Sequence, residues 1–363
     1  MVTLVLFIII FGVVVIAHEF GHFLLAKANG IHVVEFAVGM GPTLLSFKKG
    51  GTKYSLKLFP IGGACMFEGE DGLVEKEEGS GEAKEPGPGS FLKAKVWARI
   101  ATVAAGPFFN FILAFFIAVI MVNMTGIIAI RDPVATQVLE DGAAAEAGLQ
   151  DGDRILTLNG EKICLYQEIS LYMQASYKGG DVKVTYLRNG ETAAATLTPR
   201  YDEAYGTYML GISNADFVEP HGIETLKYAW YEMRYSVKAT YKSLGMIFRG
   251  KVSRQDVAGP VGIAVNVVGA TYEQAKQYGW QTVLFSMLNI MLMLSVNLGI
   301  LNLLPIPALD GGRLVFLLVE VVRGKPVPPE KEGLVHFIGL MFFMVLMVFI
   351  LFNDLSNIFF KRS

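Results

Sequence analysis

Four stretches of the chain are apolar almost without interruption: about residues 1–25, 96–130, 282–304 and 334–352. A helix needs about 20 residues to cross a bilayer, so the pattern predicts four membrane-spanning helices. Between these runs the pattern changes. Tyr54 to Phe59 alternates Tyr, Leu and Leu with Ser and Lys before Pro60-Ile61-Gly62-Gly63 breaks it. This predicts an edge strand or hairpin, with little side-chain bulk at its end. Glu68 to Ser90 is rich in Glu, Lys, Gly and Pro, which predicts a solvated, mobile segment. Arg154 to Leu158 alternates and ends at the tight-turn pair Asn159-Gly160, while Val182 to Leu187 and Ala193 to Leu197 flank a second at Asn189-Gly190. With helical patterns at Ala143 to Gly148 and Tyr166 to Tyr177, they predict a compact α+β domain of about Ile130 to Ile212. Glu224 to Phe248 mixes Trp230, Tyr231, Tyr235 and Tyr241 with Lys227, Arg234, Lys238 and Lys242. Too charged to span, it is expected to lie along the membrane surface, the other reading being a helix packed on a soluble core.

Composition agrees with a membrane protein: 53% of the 363 residues are hydrophobic and 18% charged. A net charge of -2 gives no reason to invoke nucleic acid. The first run lacks a basic leader and a small-residue cleavage site, so it is expected to be retained rather than removed as a signal peptide. Lys27 follows it and Lys93, Lys95 and Arg99 precede the second run, whereas Arg131 stands alone after the second. The positive-inside bias therefore places the loop from Lys27 to Lys95 in the cytoplasm and the middle region outside. Arg313 to Lys331 is then inside and the C-terminus outside, with Lys361 and Arg362 a weak contrary signal. Cys65 and Cys164 fall on opposite sides, and no disulfide is expected.

Within the first run stands His18-Glu19-Phe20-Gly21-His22. Ionisable side chains are costly at membrane depth, so something must compensate them. Residues four apart share one helix face, which lets His18 and His22 bind one Zn2+ while Glu19, one position round, addresses a water at the ion. The spacing departs from the H-E-x-x-H-x-x-G-x-x-H pattern, because position 28 is Ala. His32, Glu35 and Asp310 are then the candidates for a third ligand. Asp310 is favoured: it is a lone carboxylate following the third run, in Asn302-Leu303-Leu304-Pro305-Ile306-Pro307-Ala308-Leu309-Asp310-Gly311-Gly312. Two prolines break the helix there and free carbonyls, which is tolerable at membrane depth only where they line a cavity or a site. Two histidines, one carboxylate and a water form the donor set of hydrolytic zinc sites.

That chemistry assigns further roles. Zinc polarises a scissile carbonyl and acidifies water, while Glu19 takes the proton and passes it to the leaving nitrogen. Peptide bonds of a transmembrane helix are shielded by their own hydrogen bonds, so a substrate must be extended locally. Tyr54 to Phe59 is expected to hold it by strand addition, and Gly62, Gly63, Pro305 and Pro307 are further candidates for binding it. Asn302 and Asn110 are expected to hydrogen-bond the unwound backbone, with interhelical bonding the alternative for Asn110.

These motifs resemble those of the site-2 protease family of intramembrane zinc metalloproteases, in particular bacterial regulators of sigma-factor signalling. The resemblance covers nearly the whole chain. His18 to His22 resembles the first metal motif, Asn302 to Gly312 the N-x-x-P-x-P-x-L-D-G motif, Gly106-Pro107-Phe108-Phe109-Asn110 the G-P-x-x-N element, and Phe59 to Gly63 the loop entering the membrane beside the site. Ala147-Gly148-Leu149 with Gly152-Asp153-Arg154-Ile155 is similar to the signature of one PDZ domain, whose peptide loop would be Leu210-Gly211-Ile212. The implied fold is a multi-pass α-helical membrane protein of about four transmembrane helices, with a re-entrant β element and an inserted α+β PDZ-like domain. Its divisions are the first helix with the zinc motif (1–26), a cytoplasmic loop (27–95), the second helix (96–129), an extracytoplasmic PDZ-like domain (130–213), amphipathic surface helices (214–280), the third helix with the Pro and Asp-Gly motif (281–333) and the fourth helix (334–363). The implied activity is hydrolysis of peptide bonds within transmembrane segments in a bacterial plasma or inner membrane, with one Zn2+ per chain. The implied partners are membrane lipids and transmembrane protein substrates trimmed first by another protease. A metal transporter would need a polar path that no span offers, and a PDZ-bearing binding protein with a vestigial site would not need Glu19.

Overall fold

All four apolar runs are helices in the computed structural model, which describes residues 2–69, 87–124, 130–250 and 258–360. Most of the segment expected to be mobile, 70–86, lies outside the described residues. The chain begins with α1 (Val2–Ala28), β1 (Val33–Lys49), β2 (Thr52–Phe67) and α2 (Val96–Asn123). The middle carries β3 (Gln137–Val138), α3 (Ala143–Glu146), β4 (Arg154–Leu158), β5 (Glu161–Lys162), α4 (Gln167–Ala175), β6 (Val182–Arg188), β7 (Glu191–Leu197), β8 (Arg200–Asp202), β9 (Thr207–Met209), β10 (Ile212–Ser213) and α5 (Ile223–Phe248). A short α6 (Pro260–Gly262) runs through a π-helical stretch, Ile263–Gly269, into α7 (Ala270–Ala275), and α8 (Trp280–Asn302), α9 (Asp310–Arg323) and α10 (Pro329–Phe360) complete the chain. Helices α1, α2, α8 and α10 are long and apolar enough to cross a bilayer, and the chain is a membrane protein. Helix α2 stops at Asn123, short of the predicted Ile130. Helix α10 starts earlier than predicted, at Pro329, because a proline's missing N–H costs nothing in a first turn.

The chain divides into two compact units, 1–117 with 253–363, and 118–252. In the first unit, α1 and α2 approach so closely that a Cβ on Gly21 would lie 2.4 Å from the Ala105 carbonyl oxygen. Arg99 of α2 forms a buried ion pair with Glu320 of α9. Ser295 of α8 donates to the Asn110 carbonyl at 2.7 Å. Val268 of the π-helical stretch packs among Phe7, Ile10, Met287 and Ile290. Asp354 of α10, 2% exposed, accepts the Gly259 and Gly262 N–H groups at 3.0 and 2.8 Å, so a carboxylate is compensated by backbone donors at a helix start.

The β element is a hairpin, as the alternation predicts, but its end and its edge fall elsewhere. Strands β1 and β2 join through Gly50 and Gly51, both at positive φ, and β2 continues through the Pro60 to Gly63 stretch that was expected to end it. Bulges make this possible, and because both strands are bent their halves pair more than once. Residues 53–56 face both Leu45 to Lys48 and Glu35 to Val38. Tyr54 to Leu56 is therefore interior, Lys57 and Phe59 are paired on one side, and Gly63 to Phe67, paired with Val33 to Val38, is an edge.

In the second unit, β5-β4-β6-β7 form an antiparallel sheet, and its core is Ile155, Leu158, Val182, Val184 and Leu197 against Ile169 and Tyr172 of α4. The two Asn-Gly turns sit where the sequence places them, each Asn at positive φ. Helix α5 packs one face on this unit through Tyr228, Ala229 and Met233. Arg234 and Lys238 reach the fully buried Glu168 at 2.9 and 2.6 Å, and Lys242 reaches Glu161 at 2.8 Å. Three of the four charges that argued for a membrane surface, Arg234, Lys238 and Lys242, thus fasten α5 to the domain. Trp230, Tyr241 and Phe248 remain exposed on it.

Candidate metal centre

Helix α1 places His18 and His22 one turn apart, both 7% exposed, and α9 opens with Asp310. The His18 and His22 Nε2 atoms are 3.2 Å apart, and Asp310 Oδ2 lies 3.2 Å from the first and 3.4 Å from the second. Donors at about 2.0–2.1 Å from a tetrahedral zinc stand about 3.3 Å from one another, so the triangle matches three corners of such a site. No hydrogen bond of sound geometry reaches Asp310 Oδ2, although it is buried. A buried carboxylate oxygen without a proton donor, facing two imidazole nitrogens, is what a divalent cation would satisfy. The residues fit zinc.

The other ring nitrogens are committed. His22 Nδ1 donates to the Thr102 carbonyl of α2 at 2.9 Å, which leaves its Nε2 lone pair directed at the triangle. His18 Nδ1 lies 3.0 Å from the Asn110 carboxamide, whose Oδ1 is fully buried and without a partner as drawn. Turning the amide over lets Oδ1 accept the His18 Nδ1–H and satisfies both groups. Asn110, expected to meet substrate, is instead committed to His18. Gly106, part of a motif read from the sequence but given no role, creates the space: a Cβ there would stand 2.2 Å from His22 Nε2.

Glu19 lies beside the triangle, and the Cys65 main chain hydrogen-bonds its carboxylate. A Cβ on Gly63 would come within 2.8 Å of Glu19 Cγ, so the edge strand closes on Glu19 only because position 63 is glycine. Gly62, at φ +83°, packs on Met40. Asn302 donates to the Leu298 carbonyl of its own helix at 3.1 Å. Pro307 lies against Gly339 of α10. His32 is bound to Glu68 at 2.8 Å and Glu35 to Ser55 at 2.5 Å, so neither alternative ligand joins the group. Among the described residues, His18, His22 and Asp310 are the one cluster of three such donors. In the second unit Leu210, Gly211 and Ile212 have their carbonyls engaged by Ala144 N–H, Leu139 N–H and the Tyr166 hydroxyl.

The model of peptidase family M50 matches residues 6–346. The chain is 34% identical to the zinc metalloprotease RasP of Bacillus licheniformis, covering 98% of this chain and 99% of that one. It is 33% identical to the regulator of sigma-W protease RasP of Bacillus subtilis, over 98% and 99%, and 32% identical to the probable protease eep of Enterococcus faecalis, over 99% and 100%. Among solved structures, the PDZ domain of the SdrC-like protein Lmo2051 of Listeria monocytogenes is 26% identical, covering 25% of this chain and 95% of that one, with a TM-score of 0.22.

Proposed function

The chain belongs to peptidase family M50 and is an intramembrane zinc metalloprotease, and on that premise we propose that His18, His22 and Asp310 hold its metal and Glu19 moves its protons. The observation that carries the assignment is the triangle of donor atoms at 3.2–3.4 Å, with an imidazole's second nitrogen tied back on each histidine. The ion supplies Lewis acidity, drawing electrons from the scissile carbonyl and making water acidic enough to attack near neutral pH. Glu19 takes the attacking water's proton and delivers it to the departing amide nitrogen. The substrate segment lies extended along the edge at Gly63 to Met66, beside Glu19, rather than along Tyr54 to Phe59. Asn302, Pro305 and Pro307, on the turn between α8 and α9 that delivers Asp310, are assigned to the same substrate segment.

The substrates are transmembrane segments of membrane proteins, a class that includes regulators of sigma factors by analogy with the B. subtilis regulator of sigma-W protease. Another protease trims them first. The basic residues at Lys27, Lys93, Lys95 and Arg99 support a cytoplasmic β element and an extracytoplasmic PDZ-like domain, which restricts access by size.

Glu19→Gln is expected to keep zinc and to lose at least about a hundredfold in cleavage of a transmembrane reporter, whereas Asp310→Ala loses both. Metal analysis of the two purified variants, beside their turnover, checks this. Undiminished cleavage by Glu19→Gln, or full zinc in Asp310→Ala, contradicts the assignment.

A further inference from the structure

The turn that delivers Asp310 is held in a conformation its own residues disfavour. Ala308 has φ +74°, where a Cβ crowds the backbone. Among the described residues, the other non-glycine residues at positive φ are Asn159 and Asn189, of a type that tolerates it. Pro305 and Pro307 have no N–H to give, and the turn's own backbone bonds, from Ile306 N–H to the Leu304 carbonyl at 2.7 Å and from Leu309 N–H to the Ile306 carbonyl at 3.2 Å, leave the Ala308 N–H without a backbone acceptor. The missing support comes from α10. Ala308 N–H donates to His336 Nδ1 at 3.0 Å, and the imidazole ring lies 5.7 Å from the Phe316 ring of α9. One turn further along α10, a Cβ on Gly339 would fall 2.5 Å from Pro307 Cβ and 2.7 Å from its carbonyl oxygen, so the glycine is a seat for that proline. Helix α10 thus offers the turn one acceptor and one gap, both within three residues of Asp310.

We propose that His336 is a positioning residue of the metal site: by accepting the Ala308 N–H it fixes the left-handed turn that aims Asp310 at His18 and His22. The proposal rests on the reading of Asp310 as a ligand. The acceptor role requires His336 to carry its proton on Nε2, and a side chain with an oxygen near the same place should substitute.

The test uses full-length protein in detergent, with zinc retention against a chelator and the visible absorption of the Co2+-substituted protein as readouts. His336→Ala should release zinc about tenfold more readily and alter the Co2+ bands, and His336→Asn should recover most of the loss. Ala308→Gly adopts positive φ without a Cβ penalty, so in that background removing His336 should cost markedly less. A purely packing role for His336 would instead leave the loss the same with Ala308 or Gly at the turn, and that result overturns the proposal. Wild-type retention and spectrum in His336→Ala, beside a zinc-free Asp310→Ala, overturns it too. Full zinc in Asp310→Ala would instead sink the ligand reading on which the proposal stands. If His336→Ala fails to fold, His336→Asn and the Ala308→Gly pair still decide: a His336→Asn protein that folds yet loses zinc and its Co2+ bands as Asp310→Ala does counts against the acceptor role.

Discussion

A histidine holds a cation in a fixed direction only when its second nitrogen is committed, and His18 and His22 commit theirs differently. His22 leans on a main-chain carbonyl, at Thr102, which no substitution removes. His18 depends on a side chain, Asn110, and is the exposed point of the pair. Asn110→Ala should weaken zinc retention by about 10–100-fold, and Asn110→Asp, whose carboxylate accepts from Nδ1–H, should keep it. Chelator competition distinguishes this from a role toward substrate, which would raise KM in Asn110→Ala and leave zinc in place. His18, Glu19 and His22 were legible because helical periodicity forces positions four apart onto one face. Asp310 was legible because a carboxylate is costly where it stands. The Thr102 carbonyl was not, since every residue carries one, nor was the reason for Gly106, whose contribution is the absence of a Cβ beside His22.

At the level of elements, Arg99 and Glu320 tie the start of α2 to the far end of α9, the helix that begins at Asp310. Arg99 is buried and Glu320 is only 14% exposed, so cutting one leaves a largely uncompensated charge at a cost of up to about 3–5 kcal/mol. Arg99→Ala and Glu320→Ala should each lower the unfolding temperature and loosen zinc. The exchanged pair, Arg99→Glu with Glu320→Arg, should recover part of both; a thermal-unfolding double-mutant cycle with no coupling would show that the pair contributes nothing. The apolar runs predicted their helices because about 20 uninterrupted apolar residues admit few other structures. The β element was only partly legible. Gly39, Gly41 and Pro42 interrupt β1, and Pro60 interrupts β2, so alternation alone ends both strands where bulges carry them on. The charges of α5 were visible, but their partners Glu161 and Glu168 lie in a distant part of the chain, and pairing across such a distance leaves no local pattern.

For the whole molecule, the second unit is a removable insert only if α5 leaves with the domain it packs on. Replacing residues 130–250 by a flexible linker should spare zinc binding and cleavage, yet admit substrates whose large outer domains are untrimmed in the intact enzyme. Comparing full-length and trimmed forms of one substrate with both enzymes checks this; equal discrimination by both would remove the restricting role. The spanning helix α10 carries a different consequence. Its sides are largely bare, with Phe342, Val345, Val348 and Phe352 each more than 60% exposed. It touches the rest of its unit through His336 and Gly339 near one end and Asp354 near the other. Those anchors are 18 residues apart, about 27 Å along a helix, close to the hydrocarbon thickness of a bilayer. Lipids too short tilt such a rod, lipids too long thin around it and pull on its flanks, and one end of this rod holds the turn before Asp310. The enzyme should therefore read acyl-chain length: in proteoliposomes, turnover and zinc retention should pass through a maximum as the lipid tails lengthen, and a flat response would show that α10 tilts without carrying the turn along.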